Sequence, residues 1–257
     1  MALDNKLELD LEYQIDLAAK WLQEANYTVA LTGAGISVPS GIPDFRSPGG
    51  LWSHFDPWEV CSTWALEHNP QGVWEFLLEA IDLFQKAAPN PAHKALADLE
   101  KQGILKAIIT QNIDGLHQRA GSKNVIEFHG GCTQFYCHKC HKSYPFEQVY
   151  TLNKDTIPWL CSDCGGTIRP DVVFFGEQIP SKAMLLSQAF CSEADLALVI
   201  GTSGEVAPAN TLPAMVKQRG GRIIEINLGK TAYEGVSDLK IEKGAEQVLP
   251  LILTKLT

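Results

Sequence analysis

Two close cysteine pairs constrain this chain more tightly than any other feature. Cys137 and Cys140 are followed, after twenty intervening residues, by Cys161 and Cys164. In a C-x-x-C turn the two thiolates curl toward one point, and two such turns complete a tetrahedron around zinc. Sulfur at all four corners leaves no coordination position for water or substrate, so the spacing predicts a structural zinc and not a catalytic one. Zinc ribbons also grip nucleic acid, but here Lys139, Lys142 and Lys154 are balanced by Glu147, Asp155 and Asp163, and no positive stripe emerges.

The charge of the whole chain points the same way. Its 21 basic and 30 acidic side chains leave a net charge of -9, which opposes direct nucleic-acid binding and suits a cationic partner such as a lysine-rich peptide. The first twenty residues carry acids among their apolar residues, so neither a secretory signal nor a membrane span is expected there. Seven cysteines, an odd number, fit a reducing compartment better than a disulfide framework, and a cytoplasmic location is the expectation.

Apolar spacing near 3.6 predicts an amphipathic helix over residues 7–24. Residues 27–31 read as a strand that runs into Thr32, Gly33, Ala34, Gly35, Ile36 and Ser37, a strand-to-glycine turn suited to a phosphate. Val38 stands where a dinucleotide fingerprint wants a third glycine, so a tight turn without ligand is the competing reading. Further short apolar runs at 104–109, 125–128, 172–175, 196–200 and 222–226 alternate with helical patterns. The alternation predicts an α/β fold, a Rossmann-like parallel sheet with ligands at the carboxyl ends of its strands. Two segments break the pattern: a Trp-rich, proline-punctuated stretch and the cysteine-bearing stretch. The expected division is residues 1–47, 91–131 and 171–257 for the Rossmann-like domain, with a helical insertion at 48–90 and the zinc-binding module at 132–170 forming a smaller domain. Trp52, Trp58, Trp64 and Trp74 are expected in its core, Trp52 alone having an acyl entrance as alternative.

Further on, Gly41-Ile42-Pro43-Asp44-Phe45-Arg46 sets a rigid proline, a carboxylate, an aromatic and a guanidinium in succession. Taken with Gly33-Ala34-Gly35-Ile36-Ser37, Thr110-Gln111-Asn112-Ile113-Asp114, Glu127-Phe128-His129-Gly130, the four cysteines, the run from Arg169 through Phe175 to Gly176-Glu177, Gly201-Thr202-Ser203 and Ile226-Asn227-Leu228, the chain resembles the sirtuin family of NAD-dependent protein deacylases. The resemblance covers residues 27–245 in order. It implies NAD as co-substrate and acyl-lysine proteins or peptides as partners, without direct nucleic-acid or membrane binding, and it leaves the oligomeric state open. It implies that Gly33, Ala34, Gly35 and Ser37 hold the diphosphate, and that Asp44, Phe45 and Arg46 close over nicotinamide and its ribose. By the same resemblance Gln111, Asn112 and Asp114 line the nicotinamide and ribose pocket, with Asn112 and His129 catalytic. Gly201, Thr202, Ser203, Asn227, Leu228 and Ala245 fall around the phosphates and adenosine. The reaction implied is departure of nicotinamide from the anomeric carbon, attack by the acyl oxygen from the other face, and deprotonation by His129 of the ribose hydroxyl that then takes the acyl group. The products are nicotinamide, O-acyl-ADP-ribose and free lysine.

Histidine suits that base, since its ordinary pKa lies near neutrality. His54, His68, His93, His117, His138 and His141 are instead expected at surface, packing or capping positions. Val173 and Phe175 share one face of an extended run ending at Gly176, which predicts peptide capture by strand addition. Glu205, where the family often has an aliphatic residue, predicts a looser opposite edge. The segment around Val73-Trp74-Glu75-Phe76 resembles the branch that removes succinyl and malonyl groups, yet Leu77 and Ala80 stand where that branch has its tyrosine and arginine, which predicts acetyl or longer aliphatic acyl groups. Two other readings stay open: mono-ADP-ribosyl transfer to protein, and a non-catalytic NAD-sensing zinc-ribbon module.

Overall fold

The computed structural model describes residues 2–44 and 49–256. Helix α1 (Ala2–Glu24) leads into β1 (Thr28–Thr32); α2 (Pro57–Val60), α3 (Thr63–His68), α4 (Pro70–Lys86) and α5 (Pro91–Lys101) follow. Strand β2 (Leu105–Thr110), helix α6 (Leu116–Ala120) and β3 (Val125–Glu127) precede β4 (Gly130–Cys137), β5 (Ser143–Tyr144) and β6 (Ile168–Val172). The chain ends with α7 (Ser181–Glu193), β7 (Leu196–Ile200), α8 (Leu212–Gln218), β8 (Arg222–Ile226), β9 (Leu239–Ile241) and α9 (Ala245–Thr254).

Six strands form an all-parallel sheet in the order β3-β2-β1-β7-β8-β9. Both faces are covered, which is why β1 and β7 are buried at every residue instead of at alternate ones, β7 being wholly apolar and β1 apolar between Thr28 and Thr32. Successive residues still serve opposite layers. Ala30, Leu198 and Ile224 pack with Ile15, Leu22, Leu96 and Val248 of α1, α5 and α9, whereas Val29, Leu31, Val199 and Ile223 pack with Ala183, Cys191 and Val216 of α7 and α8. After β1 the chain adds β2 and β3 on one side and β7, β8 and β9 on the other. The reversal opens a crevice at the carboxyl ends of β1 and β7, where Thr32 pairs in register with Thr110 and Ile200.

The second layer system is a three-stranded antiparallel sheet, β5-β4-β6, packed on α2–α4 around Trp74, Phe135, Phe76, Ile168 and Phe174. Trp74 is fully buried, its indole N–H satisfied by the Ile168 carbonyl at 2.9 Å and its ring stacked on Phe135. Local sequence starts each helix here: Asn69 accepts from the Gly72 N–H with Pro70 in the first turn, and Asn90 accepts from Ala92 N–H with Pro91 in the first turn.

Three expectations are corrected. The run 172–175 is not a strand of the parallel sheet; Val172 closes β6, and the sixth parallel strand is β9, three residues long and too short to stand out in the sequence. Strand β4 begins at Gly130 and β6 ends at Val172, so the boundaries expected at 131/132 and 170/171 cut through strands. Of the four tryptophans, Trp74 is core, but Trp58 and Trp64 are 61% and 48% exposed, because α2 and α3 are too short to turn every aromatic inward. The Trp52 side chain lies outside the described residues.

Candidate active site

The crevice between the two sheets is a cleft of about 1450 Å³. Of the residues singled out in the sequence, Gly33, Ala34, Gly35, Asp44, Gln111, Asn112, His129, Val173, Phe175, Gly176, Gly201, Thr202, Ser203, Asn227, Leu228 and Ala245 line it. Ser37 and Asp114 stand behind its wall, Glu205 does not line it, and Phe45 and Arg46 lie outside the described residues.

The glycines answer first to the approach of two loops. Gly33 N–H donates to the Ile200 carbonyl at 3.0 Å and Gly35 N–H to the Gly201 carbonyl at 2.8 Å. A Cβ on Gly35 would lie 2.8 Å from Gly201 Cα, and one on Gly201, which has φ +60°, would lie 2.3 Å from Ile36 N. The turn continues as two 3-10 turns, Ala34–Ile36 and Val38–Ser40, and not as a full α-helix. Asn90 Nδ2 ties it to α5 by donating to the Ile36 carbonyl at 2.7 Å and to Ser40 Oγ at 3.0 Å. The sequence reading overlooked Asn90, although an Asn-Pro pair before a helical pattern is a capping signal.

At the end of β2 the side chains form one connected network. Asn112 Nδ2 donates to the Gly33 carbonyl at 3.1 Å and to Ser37 Oγ at 3.2 Å, and Ser37 Oγ donates to Asp114 Oδ2 at 2.7 Å. Leu116 N–H donates to the other Asp114 oxygen at 2.9 Å. Burial raises the Asp114 pKa despite these bonds. Gln111 Nε2 reaches across to Thr202 Oγ1 at 3.0 Å. Two threonines whose supporting role the sequence motifs did not show hold the network from below, for Thr32 Oγ1 donates to Thr110 Oγ1 at 2.9 Å and Thr110 Oγ1 accepts from Asn112 N–H at 3.1 Å.

His129 follows β3. Its Nδ1 lies 3.1 Å from the Gln111 carbonyl, which can only accept, so Nδ1 carries the proton and a neutral ring keeps its lone pair on Nε2. Burial lowers its pKa, partly offset by that bond. The ring is therefore a neutral base at pH 7. Its own carbonyl accepts from Val173 N–H at 2.8 Å, which fixes the base against the segment expected to meet substrate.

That segment is less free than expected. Phe175 N–H is spent on the Cys61 carbonyl at 2.8 Å, and the Phe175 carbonyl accepts from Thr63 N–H at 3.0 Å. Peptide pairing along Phe175 itself is excluded, and the pairing atoms must come from its neighbours. Arg169, buried between the Tyr136 and Phe174 rings, holds the turn through a two-pronged ion pair with Glu177. At the end nearest α4 the cleft wall is apolar, formed by Leu51, Phe76, Leu77, Ala80, Ile81 and Phe84. The cationic cleft residues among those described, Lys230 and Lys243, lie beyond β8 and β9 at the other end. Cys61 and Cys132 also line the cleft, but burial pushes both thiols up to about 12, so they are not nucleophiles at neutral pH.

Away from the cleft, the sulfurs of Cys137, Cys140, Cys161 and Cys164 all lie within 4.8 Å of one another. Cys137–Cys164 and Cys140–Cys161 separations of 3.5 and 3.6 Å are far too long for disulfides and close to the roughly 3.8 Å that four Zn–S bonds of about 2.3 Å impose on a tetrahedron. Tyr144 OH donates to Cys161 Sγ at 3.1 Å, as a zinc thiolate requires of its surroundings. The donor set fits zinc.

The Sir2 family model matches residues 33–208, the stretch that carries the glycine turn, the network, His129 and the four cysteines. The chain belongs to the Sir2 family. Among Sir2 relatives, it is 48% identical over 237 residues to an NAD-dependent protein deacetylase of Saccharolobus solfataricus, covering 91% of this chain and 94% of that one. It is also similar to a chain solved for the structural basis of mechanism and regulation of Sir2 enzymes, with TM-score 0.89, 42% identity, and 95% and 98% of the two chains covered. A Sir2 complex with deacetylated p53 peptide and 3′-O-acetyl ADP ribose superposes with TM-score 0.86 at 40% identity, covering 92% and 96%.

Proposed function

We propose that this chain is an NAD-dependent protein-lysine deacylase, with deacetylation favoured, yielding nicotinamide, O-acyl-ADP-ribose and free lysine. The observation that carries the reading is His129: a half-buried neutral imidazole whose Nδ1–H is committed to the Gln111 carbonyl, on a cleft that Asn112 and the glycine loops also line. When bound, NAD supplies a nicotinamide leaving group and a ribose that accepts the acyl group.

The chain's own residues do the rest. The paired loops at Gly33–Gly35 and Gly201–Ser203 would receive the diphosphate, and Asn227, Leu228 and Ala245 would receive the adenosine end. Since the Gly33, Gly35 and Gly201 N–H groups are spent on the Ile200, Gly201 and Ile226 carbonyls, the diphosphate contact falls to the rest of these loops, Ala34, Thr202 and Ser203 among them. Asn112, held by Gly33 and Ser37, orients the ribose, Gln111 lines that pocket, and Asp114 acts from behind it by holding Ser37. Preorganised donors of this kind cost no reordering when the reaction begins. His129 Nε2 takes the proton from the ribose hydroxyl, its basicity directed by the bond at Nδ1. Val173, Gly176 and Glu205 border the peptide, and Leu77 and Ala80 present an apolar wall to the acyl chain. The four cysteines hold one structural zinc that keeps β4 and β6 in place under His129 and Val173. No helix among the described residues is long and apolar enough to cross a membrane, and we place the protein in the cytoplasm on its odd complement of free cysteines.

Incubation with NAD and an acetyl-lysine peptide tests the proposal. Free lysine together with O-acetyl-ADP-ribose supports it, and ADP-ribose attached to protein without lysine release replaces it with mono-ADP-ribosyl transfer.

A further inference from the structure

Between residues 49 and 85 the chain carries six acids, Asp56, Glu59, Glu67, Glu75, Glu79 and Asp82, and no lysine or arginine. The same insertion displays the most exposed tryptophan among the described residues. Trp58 sits on the short helix α2 between Asp56, whose carboxylate accepts its N–H at 2.8 Å, and Glu59, both exposed. Its carbonyl accepts from Ser62 Oγ at 2.6 Å, so the backbone that carries the indole is fixed while 61% of the residue faces solvent. The ring is not spent on a neighbour in the way Trp64 is, whose face is stacked on His68 at 4.9 Å and 6°.

Trp58 is also placed where substrate must pass. Its ring lies 5.9 Å from that of Phe175, tilted by 36°, and Phe175 is a 40% exposed wall residue of the cleft. The hydrogen bonds of Phe175 to Cys61 and Thr63 lock α2 and α3 to that wall. A strand advances about 3.3 Å per residue, so a ring 5.9 Å out from Phe175 is within two residues of whatever side chain enters the cleft there. An exposed indole flanked by carboxylates, in a stretch whose nearest following lysine, Lys86, is paired with Asp82, is the arrangement that attracts a guanidinium or ammonium.

We propose that Trp58, with Glu59 beside it, is a substrate subsite for an arginine or lysine lying within two residues of the acyl-lysine. The proposal rests on the deacylase reading and adds the sequence preference that the reading leaves open. The indole face takes the cation, and Asp56 and Glu59 add a salt-dependent attraction. The subsite selects the polypeptide without touching NAD or the acyl group.

The test is a set of acetyl-lysine peptides with arginine, leucine or glutamate scanned through the four flanking positions, assayed with the wild type, Trp58→Ala, Trp58→Phe and Glu59→Gln. In the wild type, arginine at one of those positions should raise kcat/KM over leucine by about fivefold, through KM, with the KM for NAD unchanged. Trp58→Ala should remove about two- to fivefold of that advantage and leave the leucine peptide within about twofold; Trp58→Phe should retain part of it. Glu59→Gln should weaken the advantage at low salt and less at high salt. Leucine equal to or better than arginine in the wild type overturns the proposal. So does a Trp58→Ala variant that slows arginine and leucine peptides alike, since that is a packing effect. If no peptide is deacylated by the wild type, the deacylase reading itself falls, an outcome separate from a deacylase indifferent to arginine.

Discussion

Replacing His93 with leucine should make the protein markedly less sensitive to acid. His93 on α5 and His117 on α6 face each other inside the molecule with ring centroids 4.9 Å apart, one fully buried and the other 1% exposed. Neither nitrogen of His93, nor Nδ1 of His117, has a hydrogen-bond partner among the described residues; His117 Nε2 meets Thr32 Oγ1 at 2.9 Å. Burial pushes His93 down to about 4 and His117 down to about 3, the second with a smaller contribution from its neighbour. Unfolded, each would titrate near 6.5. The unfolded chain therefore takes up two protons that the folded chain refuses, so stability is complete above pH 6.5 and falls as pH drops toward 4. At about 1.4 kcal/mol per proton per pH unit, the pair costs about 4 kcal/mol between pH 8 and pH 5. His93→Leu removes one of the two protons and two orphaned nitrogens, so it should cut that loss by about 2 kcal/mol while leaving stability at pH 8 equal or higher. Urea titrations of both proteins at half-unit steps from pH 8 to pH 5 give the difference directly, with other titrating groups cancelling. Parallel loss of stability in the two proteins would refute the reasoning, because His93 would then titrate equally in both states.

Purified protein should carry one zinc, and Cys161→Ser or chelation should destabilise the core around Trp74 and Phe135 before it affects chemistry, read by near-ultraviolet circular dichroism beside activity; active zinc-free protein would contradict this. His129→Ala should keep NAD binding, measured by calorimetry, and lower deacylation by roughly 10²- to 10⁴-fold. With burial holding the His129 pKa below its ordinary 6.5, the acid limb of the wild-type pH–rate profile should have its midpoint below 6.5, and a midpoint above 7 would reverse that assignment. Acetyl-, butyryl-, myristoyl- and succinyl-lysine versions of one peptide should show the best uncharged acyl group ahead of succinyl by at least about tenfold in kcat/KM, since a carboxylate against Leu77 and Ala80 finds no cation there among the described residues; succinyl as best substrate would overturn it.

The parts of this account that were legible in the sequence are those where geometry leaves few choices. Four thiolates at that spacing converge whatever surrounds them, and long apolar runs such as Leu196–Ile200 belong to a doubly covered strand. Glycine was legible as a turn but not in its role. Gly33, Gly35 and Gly201 are required because two loops from opposite ends of the chain meet there, and no local pattern carries that contact. The run 172–175 was misread because a short buried apolar segment has no periodicity to separate a parallel strand from an irregular link; its backbone is taken by His129 and Cys61, both distant in sequence. The His93–His117 pair and the Thr32–Thr110 bond were invisible for the same reason. Exposure of Trp58 and Trp64 depended on how short α2 and α3 are, which an apolar count does not report.

The central claim is that one NAD is cleaved for each acyl group removed and that the acyl group ends on ADP-ribose. A single-turnover reaction of the purified protein with NAD and an acetyl-lysine peptide, quenched in time and quantified for nicotinamide, free lysine and O-acetyl-ADP-ribose, measures it. The account predicts equal amounts of all three and no lysine release when NAD is omitted. Lysine released without nicotinamide, or nicotinamide released with the acetyl group still on the peptide, would contradict it.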